Sequence, residues 1–253
     1  MIQRTLLFPL FVFFITLRIA SAQSPTATPS PAAVATPATP VADSSASPSA
    51  SPAKPVLTPV EPMKAAQYRG LLEDANTALN KKQYDVSLAA LQKAETLLGP
   101  SSISLNLKGA VLVAQKKFDD ALVAYNKALT LDPKFFPAQY NVGDADFQQA
   151  HYQKAADYFK KLLEEYPNNE LLQFMIFLCY VELDNKVEAQ KWMETIPFPS
   201  NTPSWYYAKA VWEIKNGHKN EATEYLNGSS FIFGDQNELF NRTLTSVNLL
   251  PIK

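Results

Sequence analysis

The chain repeats itself with a period of 34 residues, and that constrains its fold more than any single motif. Residues 102–135, SISLNLKGAVLVAQKKFDDALVAYNKALTLDPKF, are followed one period later by 136–169. Gly109 falls on Gly143, Phe118 on Tyr152, Ala121 on Ala155, Tyr125 on Phe159, Ala128 on Leu162 and Pro133 on Pro167. Self-similarity of this length marks a chain built by stacking copies of one supersecondary unit. Residues three or four apart share a helix face, so Leu105, Gly109 and Leu112 form one stripe and Ala121, Tyr125, Ala128 and Leu129 a second. Two helices per unit follow. Small residues at Gly109 and Ala121 let the two approach closely, while Phe118 and Tyr125 fill the space beside that contact. Pro133 stops the second helix, because proline lacks the donor the next turn needs and clashes with the turn before it.

These columns resemble the tetratricopeptide repeat family, and residues 102–169 carry its pattern almost completely. The preceding period, 68–101, places Ala75, Tyr84, Ser87, Leu91 and Ala94 in the same columns, with Gly99-Pro100 in place of the single proline. From Glu170 the match weakens, since Phe177 occupies a small-residue column and puts close helix packing there in question. Ala189, Met193 and Ile196 keep the second helix in phase. A fifth period, with Ala210, Ala222 and Leu226, runs one residue short after a connection broken by Pro197, Pro199 and Pro203. The resemblance implies an all-α, right-handed superhelical solenoid of about five helical hairpins, at about 68–101, 102–135, 136–169, 170–202 and 203–234. A closing helix at about 235–248 is expected, capped by Asp235 and burying Leu239, Phe240, Leu244 and Val247, either to cover the last repeat or to meet a partner.

The N-terminus reads differently. Residues 1–22 combine Arg4, an apolar run from Leu6 to Leu17 and the small-x-small sequence Ala20-Ser21-Ala22, the signature of an export signal cleaved before Gln23. The run of 12 residues falls short of the roughly 20 that span a bilayer as a helix. Pro9 and Arg18 weaken a span further, and an uncleaved anchor is the alternative. No cysteine follows the cleavage site to accept a lipid. Residues 23–62, rich in Pro, Ala, Ser and Thr and without an aromatic side chain, bury too little to offset chain entropy. They are expected to form a disordered linker, either a tether or a tolerated tail, ahead of a solenoid domain at 63–250.

The chain carries 23 basic and 24 acidic side chains, and signal cleavage would leave 21 against 24. The only adjacent basic residues are the short pairs Lys81-Lys82, Lys116-Lys117 and Lys160-Lys161, which argues against a phosphate-binding surface and with it against nucleic acid as a partner. Cys179, the one cysteine, sits in the apolar stretch LLQFMIFLCYVEL and reads as a buried, inert thiol. His151 and His218 occupy one column, in the turns between paired helices, where a capping or solvent-facing role is expected, and neither has a second metal ligand at a familiar spacing. No phosphate loop or nucleophile elbow is present, so no cofactor, metal or enzymatic activity is expected. Asp144 and Asp146 are the carboxylates nearest to a catalytic pair. Asn227-Gly228-Ser229 and Asn241-Arg242-Thr243 fit the glycosylation acceptor pattern, which is common by chance.

The family resemblance implies that successive first helices line a concave face that grips an extended peptide or a helix. Asn76 and Ala110 are expected on that face, and the partner-binding candidates are Asn106, Tyr140, Asn141, Asp144, Phe147, Phe174, Met175, Leu178, Tyr207 and Val211. The basic residues with which some relatives clamp a terminal carboxylate are missing. A row of bulky apolar side chains left in water forfeits roughly 1.5–3 kcal/mol each, so the row calls for a cover. A partner, the protein's own tail, or core packing between Phe174, Phe177 and neighbouring repeats would each provide one. The sequence as a whole reads as an exported, non-enzymatic adaptor, periplasmic or secreted, that binds a protein or peptide. The alternatives are a self-assembling envelope protein and, more remotely, an envelope hydrolase or transferase.

Overall fold

The structure, a computed structural model, describes residues 62–250. The expected export signal and all but the last residue of the expected linker lie outside the described residues. The described residues form eleven α-helices and no strand: α1 Pro62–Asn80, α2 Tyr84–Leu98, α3 Ser102–Ala114, α4 Phe118–Leu131, α5 Phe136–Gln148, α6 Tyr152–Glu165, α7 Glu170–Glu182, α8 Lys186–Thr195, α9 Ser204–Asn216, α10 Lys219–Phe233 and α11 Asn237–Ser246. The first ten pair in sequence as helical hairpins that stack in an array. The first helix opens at Pro62 rather than at Tyr68, and its proline stands where a missing N–H costs nothing.

The backbone repeats as regularly as the side chains. Each hairpin turn places one residue in the left-handed region: Lys82 (φ 59°), Lys116 (61°), Ala150 (60°), Asp184 (53°) and Gly217 (86°). The residue after it donates its N–H to a carbonyl five positions back: Gln83 to Ala78, Lys117 to Leu112, His151 to Asp146, Asn185 to Tyr180 and His218 to Glu213, at 2.8–3.0 Å. This is the helix stop in which a left-handed residue lets the chain satisfy the last carbonyls of the preceding helix. The first four lie 34 residues apart and the last 33, so the missing residue falls in the connection between α8 and α9. Side-chain caps open some helices. Ser101 and Ser104 form a reciprocal capping box on α3, and Asn169 accepts from the Leu172 N–H on α7.

Inside a hairpin, contact is made where the sequence places its small residues. A Cβ at Gly109 would stand 2.4 Å from the Tyr125 ring, and one at Gly143 2.6 Å from Phe159. In the first hairpin Ala75 and Ser87 take the small columns, and Ser87 Oγ donates to the Ala75 carbonyl at 2.7 Å. The fourth hairpin corrects the expectation of loosened packing. Phe177 is fully buried, and opposite it the column that holds Tyr125 and Phe159 elsewhere holds Met193 instead, so bulk has moved from the second helix to the first. α7 is consequently buried on every side from Leu172 to Val181. The largest core runs through α5–α11, with smaller ones under α1–α5.

Two polar clusters fix the connections at the C-terminal end. The buried Glu170 carboxylate accepts from Ser200 Oγ and Thr202 Oγ1, both at 2.5 Å, and from the Asn201 N–H at 3.3 Å, which ties the proline-rich link to the start of α7. Buried Asn237 donates to the carbonyls of Gly234 (2.8 Å) and Ser229 (3.1 Å) and accepts from Ser229 Oγ (2.6 Å), setting the elbow between α10 and α11. Asp235 does not cap the closing helix as expected. It lies in a single 3-10 turn, Gly234–Gln236, and α11 starts at Asn237. Among the described residues no helix is long and apolar enough to cross a membrane.

Candidate protein-interaction face

The first helices α5, α7 and α9 present Tyr140, Phe174 and Tyr207 at equivalent positions, one per repeat. The stacking of neighbouring hairpins brings these rings onto one face, and α11 lies against it. The Phe240 ring sits 5.1 Å from that of Phe174 and 5.0 Å from that of Tyr207. The Tyr207 hydroxyl donates to Asn241 Oδ1 at 2.5 Å. The Arg242 charge bears on Tyr140 and Asp144, while its Nε lies 4.0 Å from Glu238 one turn earlier in α11. Phe240 and Leu244 are buried, so the helix seats by residues four apart.

Of the covers that the sequence left open, the structure supplies core packing between repeats and the chain's own tail. Tyr140, Phe147, Phe174, Met175, Leu178, Tyr207 and Val211 are all buried, as is Asn106. All seven belong to one buried core, in which Phe174 and Tyr207 also pack against the Phe240 ring. Asn141 and Asp144 stay half-buried. Asn141 Nδ2 donates to Asn106 Oδ1 at 2.8 Å, a link between successive first helices, and Asp144 accepts from Gln148 Nε2 at 2.6 Å. Of the two other residues expected here, Asn76 is half-buried and Ala110 is buried. The tail is thus the cover for the C-terminal part of the face. It does not close the outer side of α10, where Phe231 and Ile232 remain 92% and 55% exposed.

The electrostatics follow from that burial. The Asp144 carboxyl is pushed up from 3.8 to about 6, chiefly by loss of water, with the Gln148 bond and Arg242 pulling the other way. Burial also lowers the Arg242 guanidinium to about 10, against the opposing pull of Glu238, Tyr140 and Asp144. The Cys179 thiol is buried and unbridged, and burial drives it far above the ordinary thiol range, which leaves no thiolate for chemistry at neutral pH.

The remaining candidates resolve into structure. Asp146 is buried, with Lys154 Nζ at 2.9 Å and His151 Nδ1 at 3.7 Å from one carboxylate oxygen. His218 Nδ1 lies 2.8 Å from Glu213. Neither histidine side chain caps its helix; each meets a carboxylate five residues earlier on the preceding helix. Among the described residues no three His, Cys, Asp or Glu side chains converge as a metal site. Sequence reasoning missed Arg242 and the Glu170 cluster. The one basic side chain of α11, two positions after Phe240, was the available signal for the first. Nothing local pointed to the second.

Comparison with known proteins bears on the same region. A family profile described as tetratricopeptide repeat matches residues 102–135, and a second of the same description matches 146–211. Residues 102–135 and 146–211 carry tetratricopeptide repeats. Such repeats are generally protein-interaction scaffolds. The small glutamine-rich tetratricopeptide repeat-containing protein 2 of Mycosarcoma maydis is 30% identical over 108 residues, which cover 43% of this chain and 31% of that protein. Human tetratricopeptide repeat protein 6 is 30% identical over 86 residues, 33% of this chain and 16% of the relative. The match therefore spans less than a third of either relative's own length. Among solved structures, a thermophilic TPR protein of Thermus thermophilus superposes with a TM-score of 0.54 at 14% identity, covering 71% of this chain and 98% of that one, a likeness of fold.

Proposed function

We propose that the protein is a non-enzymatic adaptor whose first-helix face, concave in a right-handed array, holds a segment of another protein. The observation that carries this reading is the seat of α11, because a face that receives one short helix by ring contacts and a hydroxyl bond has the chemistry of helix recognition. The N-terminal export signature supports a place in the cell envelope or outside the cell, with residues 23–62 as the tether. Recovery of a mature chain beginning at Gln23 checks that part.

Alanine substitution of Tyr140 or Phe174 does not test the reading cleanly, since both are buried. Site-specific photocrosslinking does. A crosslinker at Asn80, Asn141 or Gln148, half-buried on the first-helix face, is expected to capture a partner in the native cells, while one at exposed Val123 or Lys161 is not. Partner adducts confined to the latter positions overturn the adaptor. Self-assembly is the second reading, supported by the bare apolar pair Phe231 and Ile232 on the last hairpin. Sedimentation at rising concentration checks it, with a monomer throughout as the result against it.

A further inference from the structure

We infer that the part of the face formed by α5, α7 and α9 is a docking site for a partner's amphipathic helix carrying an aromatic residue, an asparagine one position on and a leucine four positions on, and that α11 occupies the site until that helix replaces it. The inference rests on the adaptor reading and adds the partner's chemistry. Phe240, Asn241 and Leu244 supply the pattern.

Three observations separate this seat from a plain structural cap. The contact is matched in polarity as well as shape, since the buried Tyr207 hydroxyl donates to Asn241 Oδ1. A helix serving only to cover apolar surface needs no such bond, whereas a groove that selects among helices uses such bonds to fix register and reject wrong partners. The helix is only 10 residues long, as short as α8, but unlike α8 it has no helix after it among the described residues, so leaving the face and unravelling form one local step. Its attachment, finally, is an elbow. Gly234 takes φ 53° and ψ −123°, and the hydrogen bonds that hold the elbow stop at Asn237, so residues beyond Asn237 leave without disturbing α10. A tethered segment competes at high effective concentration, which keeps the site closed to weak or mismatched helices.

The test uses the full chain and a fluorescein-labelled peptide of residues 235–250, followed by fluorescence anisotropy. Phe240→Ala, which weakens the resident helix, is expected to bind the peptide at least tenfold more tightly than the wild type. Adding Tyr207→Phe to that variant should cost about fivefold, as should Asn→Ala in the peptide at the position of Asn241. Equal binding by wild type and Phe240→Ala, or no binding by a Phe240→Ala chain that keeps its helical melting transition, overturns the proposal. If that variant does not fold, hydrogen exchange of the wild type decides. Amides of 238–246 should exchange at least tenfold faster than those of α7, and faster still with peptide in excess. Exchange as slow as that of α7 overturns it. Failure here leaves partner crosslinks at Asn80 and Gln148 intact, whereas failure of the adaptor reading removes those crosslinks and leaves peptide binding.

Discussion

Tyr125 lays the edge of its ring where a side chain on Gly109 would have to start, and because Tyr125 is itself buried the ring has nowhere to retreat. Gly109→Ala should therefore destabilise the protein by about 1–3 kcal/mol despite alanine's better helix propensity, measured by urea unfolding. The opposite sign is expected at Ala150, which holds φ 60° in a hairpin turn where Gly217 serves in the last hairpin. Ala150→Gly should stabilise by up to about 1 kcal/mol, because release of left-handed strain outweighs the entropy glycine adds to the unfolded chain. Asp144 adds a pH dependence. Its carboxyl titrates near 6 folded and near 3.8 unfolded, so the folded chain holds the proton more tightly, and stability falls as pH rises from about 4 to about 6. Asp144→Asn removes that loss. Relative to the wild type it should gain up to about 2 kcal/mol between pH 4.5 and pH 8, a figure tempered by the group's remaining solvent contact. The small and bulky columns were legible in the sequence because they repeat. The polar partners were not, since Asn106–Asn141 and Ser87–Ala75 join residues far apart in the chain, and no local pattern announces such a pair.

Helices were legible in the sequence as elements, and their stops even more so, since a proline follows each of the second helices α2, α4, α6 and α8 by two residues. Two elements went beyond the pattern. α7 breaks the small-residue column with Phe177, yet packs tightly because Met193, flexible and unbranched, yields the space an aromatic ring fills in other repeats. The column alone carries no sign of that exchange; it appears only when both helices are considered together. The amphipathic spacing of Leu239, Phe240, Leu244 and Val247 revealed that α11 buries one side, but a hydrophobic stripe does not name its counterpart, which includes the rings of Phe174 on α7 and Tyr207 on α9. The link between α8 and α9 depends on one carboxylate. Glu170→Ala leaves Ser200, Thr202 and the Asn201 N–H without their acceptor and should cost about 2–3 kcal/mol, with Glu170→Gln milder because it keeps an acceptor oxygen. Thermal melting of the two variants side by side checks the order.

Stability in a stacked array is a sum over hairpins and the contacts between neighbours, and here that sum is uneven. The core shared by α5–α11 is far larger than those beneath α1–α5. Hydrogen exchange should show the amides of α1 and α2 opening before those of α7, which is buried on every side, with the first hairpin lost as a unit at moderate denaturant. Uniform protection from α1 to α10 would contradict this.

The 34-residue spacing of the left-handed turns carries a consequence for how such a chain lengthens over generations. Duplicating the segment of a gene that encodes one hairpin inserts a unit whose two ends already fit its new neighbours. Ahead of α5 such an insertion leaves the berth of α11 untouched. Behind α9 it would carry the tail a full unit away from Phe174, so growth toward the N-terminus is the kind that preserves the berth as it stands.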